Sequence, residues 1–166
     1  MAVTTDIART WRGPRQVMRE LLARGPREDR SLAFLYVACL LIFVAQWPRL
    51  SRIAGGYEAT PGAEPRTMTE LLTYELFAWL LIWPLLLYAV AAVSHLVARL
   101  FGGKGDHARA RTALFWSLLA STPVLLLHGL MAGFAGPGPQ TTLVGVVWLL
   151  GFGWIWLQSL REAEAG

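Results

Sequence analysis

The sequence predicts an all-α membrane protein: a polytopic bundle of about four transmembrane helices with an amphipathic helix at its N-terminus. Hydrophobic residues make up 55% of the chain and charged residues only 16%, whereas soluble domains carry about a quarter charged residues. The apolar residues form runs of 18 or more, long enough to cross a hydrocarbon core about 30 Å thick. Arginines flank these runs, as is typical at the ends of membrane spans.

Residues 1–30 form a basic segment with seven arginines. Pro14 suits the first position of a helix and Gly25 suits its end, so the pattern predicts one helix from Pro14 to Arg24. A basic amphipathic helix of this kind is typical of a membrane surface, and a solvated leader that docks on a partner is the alternative. We expect no cleaved signal peptide, because these residues precede the first apolar run. The predicted apolar face contains Ile7, Trp11, Met18, Leu21 and Leu22.

The four-span domain is predicted at 31–162, followed by a short tail at 163–166. Pro84 and Pro123 lie inside predicted spans and should kink them, which neighbouring helices tolerate. Residues 112–160 contain no Asp, Glu, Lys or Arg, and the Gly-Pro-Gly-Pro sequence at 136–139 divides them into a helical hairpin. The predicted spans are 31–48, 76–98, 112–135 and 140–160.

The distribution of basic residues predicts how the chain is oriented in the membrane. The segments 1–30, 99–111 and 161–166 hold seven, four and one basic residues, against three in the long loop 49–75. Short loops rich in Lys and Arg face the cytoplasm. We therefore expect a multi-pass protein with both termini in the cytoplasm. The arginine-rich, alanine-rich and glycine-rich composition suggests a bacterial genome, so the expected location is a bacterial inner membrane.

No catalytic, metal or cofactor site is evident in the sequence, and we expect neither an enzyme nor a cofactor. The turn Gly102–Gly105 lacks the spacing of a phosphate-binding loop. Three polar residues remain as candidates inside the membrane, His128, Tyr88 and Glu75, although Glu75 also suits an interfacial position. Intramembrane ionisable groups tend to be functional.

Basic residues near the span ends are candidates for contact with lipid headgroups, and the high pI is better explained by this than by nucleic-acid binding. Ser117, Ser121 and Thr122 are expected to form hydrogen bonds between helices. Gly145, Gly151 and Gly153 suit close helix packing on the fourth span. The candidate headgroup contacts are Arg12, Arg15, Arg19, Lys104, Arg109 and Arg111.

Several motifs occur together between Leu96 and Gly136. A span ends in the basic turn Gly-Gly-Lys-Gly, a helix opens Arg-x-Ala-Leu-x-Trp at 111–116, and Pro123 follows in mid-helix. With 43–49 and 84–88, these motifs resemble the bacterial branch of the Yip1 family over roughly residues 10–162. The resemblance implies a helical bundle with a cytoplasmic N-terminal part. Eukaryotic members are associated with membrane trafficking and small GTPases and have five spans, whereas this chain has four, so that role is not carried over.

The sequence therefore favours a non-enzymatic protein, either an accessory or assembly subunit or a membrane organiser. It would act through helix packing and lipid contact, with membrane lipids, other integral membrane proteins or its own copies as partners. The alternative is a small transporter or lipid-handling protein with a mid-membrane site near the proline-kinked helices. A water-accessible cavity around Tyr88 and His128 would distinguish the two.

Overall fold

The computed structural model describes residues 3–25, 27–58 and 66–165, and every regular element among them is helical. Four stretches are long and apolar enough to cross a membrane: Glu28–Ala54, Met68–Leu100, His107–Phe134 and Pro139–Ala163. The helices in chain order are α1 (Val3–Thr10), α2 (Pro14–Ala23), α3 (Glu28–Ala54), α4 (Met68–Phe77), α5 (Trp83–Leu100), α6 (His107–Phe134) and α7 (Pro139–Ala163).

The four long helical stretches contain the four predicted spans, except that Ala135 caps α6 rather than belonging to it. The stretches extend beyond the apolar runs, so α3 continues to Ala54 and α4 begins at Met68, both inside the predicted loop 49–75. Residues 59–65 of that loop, together with 1–2, 26 and 166 of the other predicted segments, lie outside the described residues. Thr67 and Glu70 cap α4 reciprocally, which fixes where that helix begins.

Pro84 interrupts the regular α-helical bonding of the second long stretch without ending the helix. Residues Ala78–Ile82 form one π-helical turn between α4 and α5. Pro84 has no backbone N–H to donate, so the regular hydrogen-bond ladder cannot continue through it. A π-turn accommodates such an interruption by changing the bonding pattern locally, and the stretch Met68–Leu100 remains helical throughout.

Helix α6 is the centre of the bundle. Residues 112–122 are buried on every side of this helix, with α3, α5 and α7 packed around them. The side chains of α5 and α7 are mostly exposed outside these contacts, as for Leu85 (74%) and Leu150 (69%). Lipid would surround these two helices in a bilayer, because their exposed side chains are apolar.

The N-terminal segment corrects one prediction. The helix predicted from Pro14 to Arg24 is present as α2, and a further helix, α1, precedes it, but the apolar face of α2 does not lie open to lipid. Val17, Met18, Leu21 and Leu22 are buried in the hydrophobic core with α3 and α6, while Arg15 and Arg19 face outward. Amphipathic spacing describes a helix with one buried side, and here the bundle itself covers that side.

Three segments meet at one end of the bundle: the α1–α2 pair, the turn at 101–106 and the end of α7. Arg19 of α2 forms an ion pair with Glu162 of α7, with Nε and Oε1 2.7 Å apart. The backbone N–H of Lys104 donates to the Glu164 carbonyl at 2.9 Å. The glycine-proline turn at 136–139 joins α6 to α7 at the opposite end, where Gly136 adopts a φ of +75°.

Candidate functional site

Pro123 interrupts the hydrogen-bond ladder in the middle of α6. Proline cannot donate to the carbonyl four residues earlier, which here belongs to Leu119. The Thr122 hydroxyl donates to that carbonyl at 2.8 Å and replaces the missing bond. The Ser121 hydroxyl donates to the Leu118 carbonyl at the same distance. We call residues 118–123 the Pro123 break.

Two tryptophans from other elements donate into the Pro123 break. Trp11, in the turn after α1, donates its indole N–H to the Ala120 carbonyl at 2.9 Å. Trp148 of α7 donates to the Ser121 hydroxyl at 3.2 Å. The Trp11 ring also lies against Gly151, where an added Cβ would be 2.8 Å from Cη2. Polar groups at membrane depth are costly unless they are paired, so these bonds make the break a point of attachment between α6, α7 and the N-terminal segment.

Ser117, Ser121 and Thr122 therefore take two different roles. Ser121 does bond between helices, through Trp148. Ser117 and Thr122 instead donate to carbonyls of their own helix, Ala113 at 2.6 Å in the case of Ser117.

Tyr88 belongs to a charged cluster near the start of α3 and α6. Its hydroxyl donates to Glu28 Oε1 at 3.2 Å, and its ring packs edge-on against Phe115. Arg111 lies over the Tyr88 ring at 5.6 Å and pairs with Glu28 Oε2 at 3.0 Å. The hydroxyl is thus bonded to a carboxylate at the start of α3.

His128 and Glu75 lie apart from that cluster. His128 packs against α7, since a Cβ added at Gly145 would be 3.3 Å from its Nε2 atom. Glu75 accepts a hydrogen bond from the Trp79 indole at 3.1 Å. The structure does not bring the three predicted intramembrane residues together, so they do not form one site.

The candidate headgroup residues divide into two groups. Arg19 and Arg111 are engaged in ion pairs with Glu162 and Glu28, and the Glu162 carboxylate raises the pKa of the Arg19 guanidinium. The others have no ion-pair partner among the described residues. These are Arg12, Arg15, Lys104 and Arg109.

The turn Gly102–Gly105 binds the end of α7. Glu164 is buried, and its Oε2 atom accepts the Gly105 N–H at 3.2 Å. Its Oε1 atom is 2.7 Å from Nδ1 of His95, which is also buried. A Cβ added at Gly103 would lie 2.7 Å from Oε2, and one at Gly105 would collide with the Ala163 carbonyl. The glycines therefore allow the backbone of the turn to approach the Glu164 carboxylate. This turn thus contacts a carboxylate of its own chain.

The closest helix packing occurs between α3 and α6. An added Cβ at Gly129 would collide with the Ala45 carbonyl, and one at Gly133 would collide with Pro48. The two glycines are four residues apart, so they form a GxxxG motif that lets helix backbones meet. The sequence-based expectation placed close packing on the fourth span, although the spacing of the two glycines on the third span is readable in the sequence.

An apolar groove of about 770 Å³ lies between α5 and α7. One face of α5 lines it from Trp83 to Phe101, and α7 contributes Trp156, Leu157 and Leu160. Apart from Ser94, the side chains that line it are hydrophobic. We call it the outer groove, and it has the character of a surface for acyl chains or helices rather than a reaction site.

Among the residues that the structure describes, no three His, Cys, Asp or Glu side chains are grouped to hold a metal ion. Several of the polar contacts described above join different elements, through Trp11, Trp148, Tyr88 and His95, so the arrangement is suited to packing.

A comparison with family profiles finds the Yip1 domain over residues 8–165, nearly the whole chain. Comparisons with curated proteins and with solved structures found no match. The matched region includes α2 to α7, the Pro123 break, the Gly102–Gly105 turn and the outer groove. With an all-helical fold and four apolar helices long enough to span a membrane, this chain belongs to the Yip1 family of integral membrane proteins.

Proposed function

We propose that this protein is a non-enzymatic membrane organiser or an accessory or assembly subunit of a membrane complex. It acts through lateral helix packing and lipid contact. The Yip1 family is not an enzyme family, which supports the absence of catalysis. Its partners are membrane lipids and other integral membrane proteins or its own copies.

One observation carries the proposal: α5 and α7, with the π-helical turn before α5, present broad apolar surfaces outward. Leu81 of the π-helical turn is 67% exposed, Leu85 and Val93 on α5 are 74% and 59% exposed, and Leu143 and Leu150 on α7 are 66% and 69% exposed. Such surfaces suit contact with lipid or with another helix.

The transport alternative receives less support. A transport site needs polar groups that face a solute path. Tyr88 is bonded to Glu28, and His128 packs against Gly145. Neither residue lines the outer groove.

We further propose that both termini and the turn at 101–106 face the cytoplasm of a bacterial inner membrane. The support is the excess of basic residues in these segments and their meeting at one end of the bundle. Reporter fusions after residues 60, 105, 137 and 166 test the orientation, and an external signal at 105 would refute it.

Affinity purification from native membranes in mild detergent tests the function. We expect a defined partner or a defined homo-oligomer, with recovery reduced by Leu85→Trp on α5 or Leu150→Trp on α7. Val44→Trp is the matched control, because Val44 is 44% exposed on α3 and should leave recovery unchanged. A lone monomer that selects no lipid and whose deletion alters no membrane complex would contradict the proposal.

A further inference from the structure

Two basic residues follow lining residues of the outer groove closely in the chain, and neither has an ion-pair partner among the described residues. Phe101 lines the groove and is followed three residues later by Lys104, and Leu160 lines it and is followed directly by Arg161. Lys104 and Arg161 are both exposed. The Lys104 backbone is bonded to Glu164, so the Gly102–Gly105 turn holds this lysine beside the end of α7.

The lining and the charges suit two parts of one molecule. The groove is hydrophobic along α5 from Trp83 to Phe101, a distance of about 27 Å at 1.5 Å per residue. The exposed cations Lys104 and Arg161 follow the lining residues Phe101 and Leu160 in the chain. An acyl chain alone would need only the hydrophobic lining, and a phosphate alone would need only the cations. A phospholipid with net negative charge uses both.

The shape favours a lipid over a transmembrane helix. The α7 wall consists of Trp156, Leu157 and Leu160, which cover about 6 Å of helix. The hydrocarbon core of a bilayer is about 30 Å thick. A rigid helix that crosses the bilayer would contact α5 alone over most of its length, but a flexible acyl chain can follow a groove with one short wall.

The geometry points to a binding site for an anionic phospholipid, with an acyl chain in the outer groove and the headgroup phosphate at Lys104 and Arg161. This inference rests on the proposed function and names the lipid class that the protein selects. It also gives the Gly102–Gly105 turn a second role, because the bond to Glu164 positions the lysine.

Native mass spectrometry of the full chain tests the site. The protein is exchanged into micelles that contain phosphatidylglycerol or phosphatidylcholine with identical acyl chains, and the retained lipid is counted after mild delipidation. We expect one retained phosphatidylglycerol, with a preference of at least about tenfold over phosphatidylcholine, since each basic residue near an anionic headgroup contributes to affinity. Equal retention of the two lipids would overturn the site.

Two pairs of variants separate headgroup from acyl contacts. Lys104→Gln with Arg161→Gln should reduce the preference to less than about twofold. Arg24→Gln with Arg66→Gln removes the same charge from exposed positions that do not line the groove and should leave the preference intact. Val93→Trp fills the groove and should abolish retention of both lipids. Val146→Trp, on an exposed part of α7 outside the groove, should not.

Two further results would overturn the inference. The first is an equal loss of preference in the Arg24 and Arg66 control. The second is a disulfide-linked dimer, or a cross-linked partner, formed through Val93→Cys in a Cys39→Ser background, because a helix would then occupy the groove. If Val93→Trp does not fold, the charge variants decide alone. A partner recovered from native membranes without lipid preference would refute this site and leave the proposed function standing.

Discussion

The Gly129–Gly133 contact gives the sharpest test of the fold. Gly129→Ala places a methyl group against the Ala45 backbone, whose carbonyl carbon would be 2.8 Å away. Overpacking costs about 1–3 kcal/mol, and a backbone obstacle cannot rotate away as a side chain can. The better helix propensity of alanine returns about 0.5–1 kcal/mol. We therefore expect Gly129→Ala to reduce the free energy of unfolding by about 2 kcal/mol.

Gly153→Ala is the matched control, because nothing lies within 4 Å of an added Cβ at that position of α7. We expect it to leave stability unchanged or to raise it by up to about 1 kcal/mol. The assay is reversible unfolding by SDS in mild-detergent micelles, followed by far-UV circular dichroism. If Gly129→Ala is as stable as Gly153→Ala, α3 and α6 do not pack backbone to backbone and the argument is wrong.

Three other predictions concern the ends and the centre of the bundle. Trp11→Phe removes the indole donor and leaves a buried carbonyl of α6 without it, so the same unfolding assay should show a loss of about 1–2 kcal/mol, whereas the exposed Trp154→Phe should cost less than about 0.5 kcal/mol. The Arg9 guanidinium lowers the pKa of the Glu20 carboxyl. This pair therefore contributes fully to the free energy of unfolding above the ordinary glutamate pKa of about 4.3. Its contribution disappears as the pH falls through the lowered pKa of Glu20. The stability difference between wild type and Glu20→Gln should therefore shrink in acid, and a difference that grows there would contradict the assignment. Gly105→Ala should accelerate amide hydrogen exchange in the last turn of α7 by about tenfold, because the methyl group displaces the turn from that helix end, and unchanged exchange would show that the turn does not hold it.

The sequence was sufficient for the transmembrane helices because their signal is local. Each apolar run is continuous, and the Gly-Pro-Gly-Pro turn leaves one way to divide 112–160 into two helices. The packing between these helices was harder to predict from the sequence. Gly129 and Gly133 had a readable spacing, but the partners Ala45 and Pro48 lie more than 80 residues away in the chain, and no local pattern identifies them.

The N-terminal segment and the Glu164 contact could not be predicted for a related reason. Apolar spacing in α2 shows that one face must be buried, but lipid and protein satisfy that need equally well. The pairing of His95 with Glu164 depends on how two helix ends meet across 69 residues of sequence. The Gly102–Gly105 motif is visible in the sequence. Its partner, the Glu164 carboxylate, lies 59 residues after Gly105, so no local pattern connects the two.

The bond between Trp11 and the Ala120 carbonyl also constrains the order of events during synthesis. The indole of Trp11 bonds to a carbonyl that is synthesised 109 residues later, and the ring rests against Gly151, which is synthesised later still. At about 5–20 residues per second, roughly 7–28 seconds pass before both contact surfaces exist. Until then the apolar side of α2 has no native cover, so the ribosome-bound chain must keep this first segment at the membrane interface or with a chaperone, and its docking completes assembly rather than starting it.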